Sequence, residues 1–301
     1  MNTVHIMDYI AEVSESDALT TYPITNRLYS GHTMFCSSVE IAESNAYGRM
    51  LFLDGELQSA SADEAIYHES LVHPIMSAFT DHNVLVVGGG EGATVREVLK
   101  WSPSGVVWVD IDRQLVEMCE EHLKWAPGVR SHPLVKYHGQ NIQTILPSLG
   151  KFNIIILDLP DPDGDTDYLY SIDFWRNIRQ HLTEDGRIVT HTGPVRPFGN
   201  IGEGLMRVWK EATSGGFDAW IDGFYSVCIP SFQGDWGFWI SGYRPFYDMR
   251  MKNLPEGLTI VDRTQLMQWK YPPLRWRTVL SDQVQTGRAV GCCNISGNPD
   301  V

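Results

Sequence analysis

The chain has 301 residues, 43% of them hydrophobic and 11% aromatic, enough for one large domain or a main domain with a small companion. Its formal net charge of −14 leaves no broad basic face to neutralise phosphates, which argues against a nucleic-acid partner and suits a cationic substrate. Five cysteines, odd in number and without a CxxC pair, argue against a disulfide framework or a metal clip. No run approaches the roughly 18 apolar residues of a membrane span, so a cytoplasmic protein with no metal and no membrane partner is expected.

In chain order, residues 1–20 are polar and acidic and read as a loose arm. Apolar alternation over 34–41 and 49–53, with the turn signal Asp54-Gly55 after it, predicts a small antiparallel sheet. Residues 62–79 have helical periodicity, with Asp63 and Glu64 where a helix dipole favours acids and Pro74 as an interruption. The sequence NVLVVGGGEG follows at 83–92. Its apolar run suits a buried parallel strand, and Gly88, Gly90 and Gly92 let the backbone turn sharply and approach a ligand. A helix over 93–100 and a strand over 106–109 ending on Asp110 complete this unit. The alternation continues with helix 114–125, strand 135–138, helix 142–149 and strand 152–157 ending on Asp158. Helix 170–182, strand 187–190, helix 201–212 and late strands at 217–229 and 236–241 follow. Such alternation predicts a doubly wound α/β sheet. The expected division is a small β domain over 1–60, the main domain over 61–280, and a Gly/Ser/Asn-rich, poorly ordered tail over 281–301.

The G-x-G-x-G spacing suits a nucleoside without a pyrophosphate, such as S-adenosylmethionine or a derivative, with Asp110 on its ribose hydroxyl pair. A dinucleotide site and a bare tight turn are the other readings of the same residues. Ligands of open α/β sheets sit beyond the carboxyl ends of the strands, so Asp110, Asp158 and Glu91 converge on one crevice. Asp161 lies three residues past Asp158, in a loop stiffened by Pro160 and Pro162. Carboxylates beside an apolar strand end can fix an amine and accept its proton; an acidic loop facing water is the plainer alternative. Asp163, Asp165 and Asp167 do not make an EF-hand, because Thr166 and Ile172 stand where its glycine and glutamate belong, and they read instead as a mobile acidic lid or solvated loop charge.

The segment LDGELQSASADEAIYHESLVHP over 53–74, GGGEG over 88–92, VDID over 109–112 and DLPDP over 158–162 resemble, in order and spacing, the spermidine synthase family of aminopropyltransferases. GGGEG, D-L-x-D-P, the T-x-x-GP segment at 190–194 and I-P-S-F…W-G at 229–237 are most similar to thermospermine-synthase-like members. The resemblance covers residues 30–245. It implies an N-terminal β domain followed by a Rossmann-like sheet of the class I methyltransferase kind, assembled as homodimers or homotetramers. The implied reaction moves an aminopropyl group from decarboxylated S-adenosylmethionine, a co-substrate rather than a resident cofactor, to a polyamine amine and releases methylthioadenosine. Spermidine is the favoured acceptor, giving thermospermine or spermine. By motif position Glu91 holds the donor amino group, Asp110 the ribose, and Gly88, Gly90 and Gly92 the backbone beside it. Gln58, Gln140 and Asn141 fall at donor-side positions. Asp158 is the implied base, Tyr67 orients the amine, and His68 and Asp161 face the polyamine. Tyr225, Phe232 and Trp236 are candidates for packing its methylene spans, with a place in the core as the alternative.

The chain departs from the family pattern in three places. His138-Gly139-Gln140-Asn141 replaces an acid near the adenine amine, from which the Gln140 carbonyl could still accept. Phe35-Cys36-Ser37-Ser38 stands in the region of a Tyr-Gln pair, and Pro160 replaces a small residue. Two alternatives therefore stay open. One is transfer of a methyl or aminocarboxypropyl group from intact S-adenosylmethionine, whose carboxylate would call for Arg96 or Arg196. The other is a non-catalytic polyamine- or nucleoside-binding homologue, against which the presence of Asp158 and Tyr67 counts.

Overall fold

The computed structural model describes residues 8–13, 19–160, 164–195, 221–242 and 254–269. Its N-terminal part is built of two antiparallel sheets. Strands β1 (Asp8–Val13) and β2 (Leu19–Ile24) pair as a hairpin, and β3 (Asn26–Gly31), β4 (Val39–Ser44), β5 (Gly48–Leu53) and β6 (Glu56–Ala60) form a four-stranded meander. The expected loose arm over 1–20 is thus corrected for its described residues. Ile10, Tyr22 and Ile24 bury one face of the hairpin on Ala42, Met50 and Phe52 of the meander, while Tyr9, Val13 and Leu19 on its other face are exposed. The meander's opposite face, Val39, Ile41 and Leu51, packs on Leu115, Cys119 and Leu123 of a helix in the second part. A strand beginning at 34 is also corrected: the Thr33 hydroxyl accepts the N–H groups of Phe35 and Cys36, which turns residues 32–38 into a loop.

The second part contains a seven-stranded sheet. Its strands are β7 (Asn83–Gly88), β8 (Gly105–Asp110), β9 (Val135–Gly139), β10 (Phe152–Asp158), β11 (Leu182–Val195), β12 (Ile221–Ile229) and β13 (Gly234–Gly242). The order is β12-β13-β11-β10-β7-β8-β9, parallel from β11 to β9, with β13 antiparallel to both of its neighbours. This is the doubly wound arrangement expected from the alternating elements. Val84 and Val86 of β7 face helices α1 (Glu64–Met76) and α2 (Ala93–Leu99), with α3 (Arg113–His122) and α6 (Arg263–Trp269) on the same side. Leu85 and Val87 face α4 (Ile142–Ile145) and α5 (Ile172–Gln180). Burial on both faces explains why these strands read as unbroken apolar runs. Each such side chain contributes about 1.5–3 kcal/mol on leaving water.

Helix α1 runs through Pro74 rather than stopping there. A proline removes the N–H that would reach the carbonyl four residues back. That carbonyl belongs to Ser70, and the Tyr225 hydroxyl donates to it at 2.7 Å. Of the acidic segment, Asp167 is exposed on a short helical turn, Gly164–Tyr170, whose Leu169 and Tyr170 are buried, Tyr170 donating to the Pro160 carbonyl; Asp163 lies outside the described residues. The expected helix at 201–212, the start of the strand at 217–229, and the tail lie outside the described residues.

Candidate active site

The register of the parallel strands assembles the site. Asp158, last in β10, lies beside Gly88 at the end of β7, and Asp110, last in β8, lies beside Gly139 at the end of β9. The turn after β7 must press against β10: Gly88 has φ +82°, and a Cβ there would lie 2.0 Å from the Asp158 carbonyl oxygen. Gly89 N–H donates to that carbonyl at 2.8 Å, and a Cβ on Gly89 would sit 2.8 Å from the Asp158 side chain. The glycines therefore bring the turn and the carboxylate together, which side chains would prevent.

Both oxygens of Asp158 accept hydrogen bonds, one from the Tyr67 hydroxyl at 2.8 Å and the other from Thr94 at 2.5 Å. Thr94, second residue of α2, escaped the sequence reading; its place one turn after the glycines was the available signal. Each carboxylate oxygen keeps lone-pair capacity beyond one bond, so Asp158 can still meet an amine.

Asp110 is buried, and burial raises its carboxyl from the ordinary 3.8 to about 7. One oxygen accepts from the Asp112 N–H at 2.8 Å. The other faces the glycine turn, since a Cβ on Gly90 would come within 3.2 Å of it. Asp112 in turn caps α3 through the Leu115 N–H at 3.0 Å and accepts from the Thr33 hydroxyl. The loop at 32–38 is thereby tied to the carboxylate end of β8. Ser38 N–H and the Ser37 hydroxyl tie its other end to Asp54.

Glu91 belongs to a buried chain of charges. Its Oε1 lies 2.6 Å from His68 Nε2, an ion-pair contact of poor hydrogen-bond alignment, and its Oε2 is buried with no hydrogen-bond partner among the described residues. His68 Nδ1 donates to Glu64 at 2.8 Å, and Glu64 receives both terminal nitrogens of Arg96 at 3.0 and 2.8 Å. Burial pulls the His68 pKa down, but Glu91 and Glu64 outweigh it and hold the imidazole charged well above its ordinary range. His68 is 1% exposed and committed to these two acids, so it acts on Glu91 rather than facing the polyamine as expected. Arg96 also donates to Glu97 and to the Trp125 carbonyl, which leaves it committed to protein groups.

Beside Asp158 lies a cluster of rings. Tyr67, His191, Trp236 and Phe232 follow one another with centroid separations of 6.2, 5.9 and 4.8 Å, and Phe232 returns to Tyr67 at 6.3 Å. His191, absent from the sequence-based candidates, donates Nε2–H to the Leu159 carbonyl at 2.6 Å, one residue past Asp158. Phe232 rides on a short turn fixed by Asp63, which accepts the Ser231 N–H and hydroxyl at 2.7 and 2.9 Å. Asp63 was expected to serve the α1 dipole; its side chain makes no cap and holds this turn instead. Tyr225 is corrected to the core: it is 1% exposed, and its ring stacks on Phe238 and Trp269.

Of the other donor-side candidates, Gln58 is half-buried on β6 and donates to the Glu56 carbonyl at 3.3 Å. Gln140 is exposed just past Gly139, at the Asp110 end of the sheet. Asn141 caps α4 through the Gln143 N–H at 2.8 Å, so its side-chain oxygen is already engaged. Gly92, at φ +79°, begins α2. Asp161 and Arg196 lie outside the described residues. No group of three His, Cys, Asp or Glu side chains placed to hold a metal occurs among the described residues.

Acids thus line the carboxyl edge of a doubly wound sheet, the edge at which ligands of open α/β sheets bind. The sequence profile of the spermine/spermidine synthase domain matches residues 64–251, and that of the spermidine synthase tetramerisation domain matches residues 9–61. The chain belongs to the spermine/spermidine synthase family, a family of enzymes. It is 35% identical over 245 residues to polyamine aminopropyltransferase 2 of Pseudomonas aeruginosa, covering 76% of this chain and 66% of that protein. It is 30% identical over 287 residues to the polyamine aminopropyltransferase of Aeropyrum pernix, covering 88% of each. Spermidine synthase from Thermotoga maritima superposes with a TM-score of 0.80 at 22% identity, over 92% of this chain and 95% of that one. A spermidine synthase bound to the transition-state analogue AdoDATO gives 0.81 at 23% identity, over 92% and 96%. These two likenesses establish the fold, a Rossmann-like sheet behind an N-terminal β part.

Proposed function

We propose that the protein transfers an aminopropyl group from decarboxylated S-adenosylmethionine to a polyamine amine. The amine nitrogen attacks the methylene carbon bonded to the sulfonium, the carbon–sulfur bond breaks with its electron pair going to sulfur, and methylthioadenosine leaves. Asp110 receives the ribose hydroxyls and Glu91 the donor ammonium. The attacking amine carries a proton at neutral pH, since alkylamines titrate near the lysine value of about 10.4. Asp158 takes that proton while Tyr67 and Thr94 fix its orientation. Phe232, Trp236 and His191 form an apolar-faced wall for the methylene chain, and Asp161 is assigned to a second ammonium.

The observation that carries this reading is the commitment of Arg96. A donor carboxylate needs a cation, and the Arg96 guanidinium is bound to Glu64, Glu97 and the Trp125 carbonyl, while the carboxylates of Glu91 and Asp158 lie within electrostatic reach of each other. This favours the decarboxylated donor over the intact one. Spermidine as acceptor rests on the thermospermine-synthase-like motifs. An oligomer, dimer or tetramer, is supported by the match of residues 9–61, and a cytoplasmic location by the free state of Cys36, Cys119 and Cys228. No helix among the described residues is long and apolar enough to cross a membrane.

The test is a mass-spectrometric product assay with decarboxylated or intact S-adenosylmethionine and putrescine, spermidine or spermine. A gain of one aminopropyl unit on spermidine, with methylthioadenosine released only from the decarboxylated donor, is expected. Turnover confined to the intact donor overturns the proposal.

A further inference from the structure

The proposed mechanism uses Glu91 but neither Glu64 nor Arg96, although both are joined to it. From Arg96 the contacts run through Glu64 and His68 to Glu91, alternating positive and negative, at 2.8, 2.8 and 2.6 Å. Two helices and one turn supply the members: Glu64 and His68 lie one turn apart on α1, Arg96 is on α2, and Glu91 is in the glycine turn. The geometry by itself fixes the proton. His68 Nδ1 faces the carbonyl and carboxylate of Glu64, and Nε2 faces the Glu91 carboxylate. All of these are acceptors when ionised, so both ring nitrogens must present protons for the chain to be satisfied.

A buried carboxylate without a cation takes up a proton, and burial does push the Glu91 carboxyl upward. Asp158 and Glu64 push the same way, and the Cys119 thiol also lies within electrostatic reach. His68 is the group that opposes them. Its own charge is held by Glu64, whose carboxyl Arg96 and His68 lower to about 2 against its burial. The Tyr67 ring meets His68 edge-on at 5.1 Å, which limits its rotation away from both acids.

We propose that Glu64 and Arg96 are positioning residues of the donor site, holding His68 as an imidazolium so that Glu91 stays ionised with Oε2 turned to a primary ammonium of the ligand. This deepens the donor assignment above and rests on it. Arg96, weighed as a partner for a donor carboxylate, here serves the donor ammonium through Glu64, His68 and Glu91.

The test compares two nucleosides by calorimetry on the full chain: decarboxylated S-adenosylmethionine, which carries the ammonium, and methylthioadenosine, which lacks it. Wild type is expected to bind the first more tightly. Glu64→Gln keeps the size and hydrogen-bonding shape but removes the charge, and should weaken the ammonium ligand by about tenfold. Methylthioadenosine binding should change by less than about threefold, which also shows that the variant is folded. Arg96→Lys, which keeps the charge and loses the two-pronged grip, should shift the same ratio by a smaller factor and serves if Glu64→Gln does not fold. Equal weakening of both ligands would mean a structural role only and overturn the proposal, as would no change in either. A wild type that binds neither nucleoside would instead sink the donor assignment.

Discussion

The two sides of the crevice are held by different forces. On the side proposed for the donor, charged groups and backbone N–H groups fix the acids: Glu91 by His68, Glu64 and Arg96, and Asp110 by the Asp112 amide. On the side proposed for the acceptor, rings set the surface, with His191 held on the Leu159 carbonyl and Phe232 on a turn clamped by Asp63. Electrostatic preorganisation suits a ligand bound in one pose, whereas an aromatic wall tolerates a sliding chain of methylenes. The difference teaches where each kind of substitution will be felt.

The largest effect should come where the two sides meet. Asp158→Asn should lower kcat by about a thousandfold, the middle of the range for a general base, while methylthioadenosine binds as before. Steady-state kinetics with calorimetry checks this, and near-normal turnover would remove Asp158 from the proton-accepting role.

The donor side should also show its charge in the pH profile. In the ribose-binding role proposed for it, Asp110, raised by burial to about 7 in the free protein, accepts poorly from hydroxyls below that pH. Methylthioadenosine affinity should therefore rise about tenfold between about pH 6 and 8. Asp110→Asn should bind weakly and flatten the rise. The same shift makes the ligand-free protein less stable as pH rises from 3.8 to about 7, because the unfolded chain releases the proton first.

On the acceptor side, Phe232→Ala or Trp236→Ala should raise the KM for polyamine by about fivefold to tenfold, through lost apolar contact, and leave donor KM unchanged. A donor-side effect of equal size would erase the contrast between the two halves. The smallest catalytic effect belongs to Tyr225→Phe. It frees the Ser70 carbonyl beside Pro74 and should cost about 1–3 kcal/mol of stability, read as a lower melting temperature, with kinetic constants unchanged.

The legible parts of this molecule were those set by local sequence. The runs at Val84 to Val87 and at Ile154 to Leu157 announce strands buried on both faces, and the acids that end β8 and β10 announce the crevice. The β1–β2 hairpin was missed because its buried face is three residues, Ile10, Tyr22 and Ile24, with Asp8 and Glu12 flanking Ile10 on the same face. Asp63 was misread because its partner Ser231 is 168 residues away, so a position typical of a helix cap serves a distant turn. Tyr225 likewise owes its place to a carbonyl orphaned by Pro74, 155 residues back from the tyrosine at Ser70. Glu64, Arg96, Thr94 and His191 matter through partners that only the folded register supplies.

The central claim is that the donor pocket is built for an ammonium end without a carboxylate. Its most direct test is the ratio of dissociation constants of intact and decarboxylated S-adenosylmethionine for the wild-type protein. The account predicts at least about tenfold tighter binding of the decarboxylated form, since the Arg96 guanidinium is committed to Glu64, Glu97 and the Trp125 carbonyl rather than to an added carboxylate. Equal affinities, or tighter binding of the intact form, would contradict it.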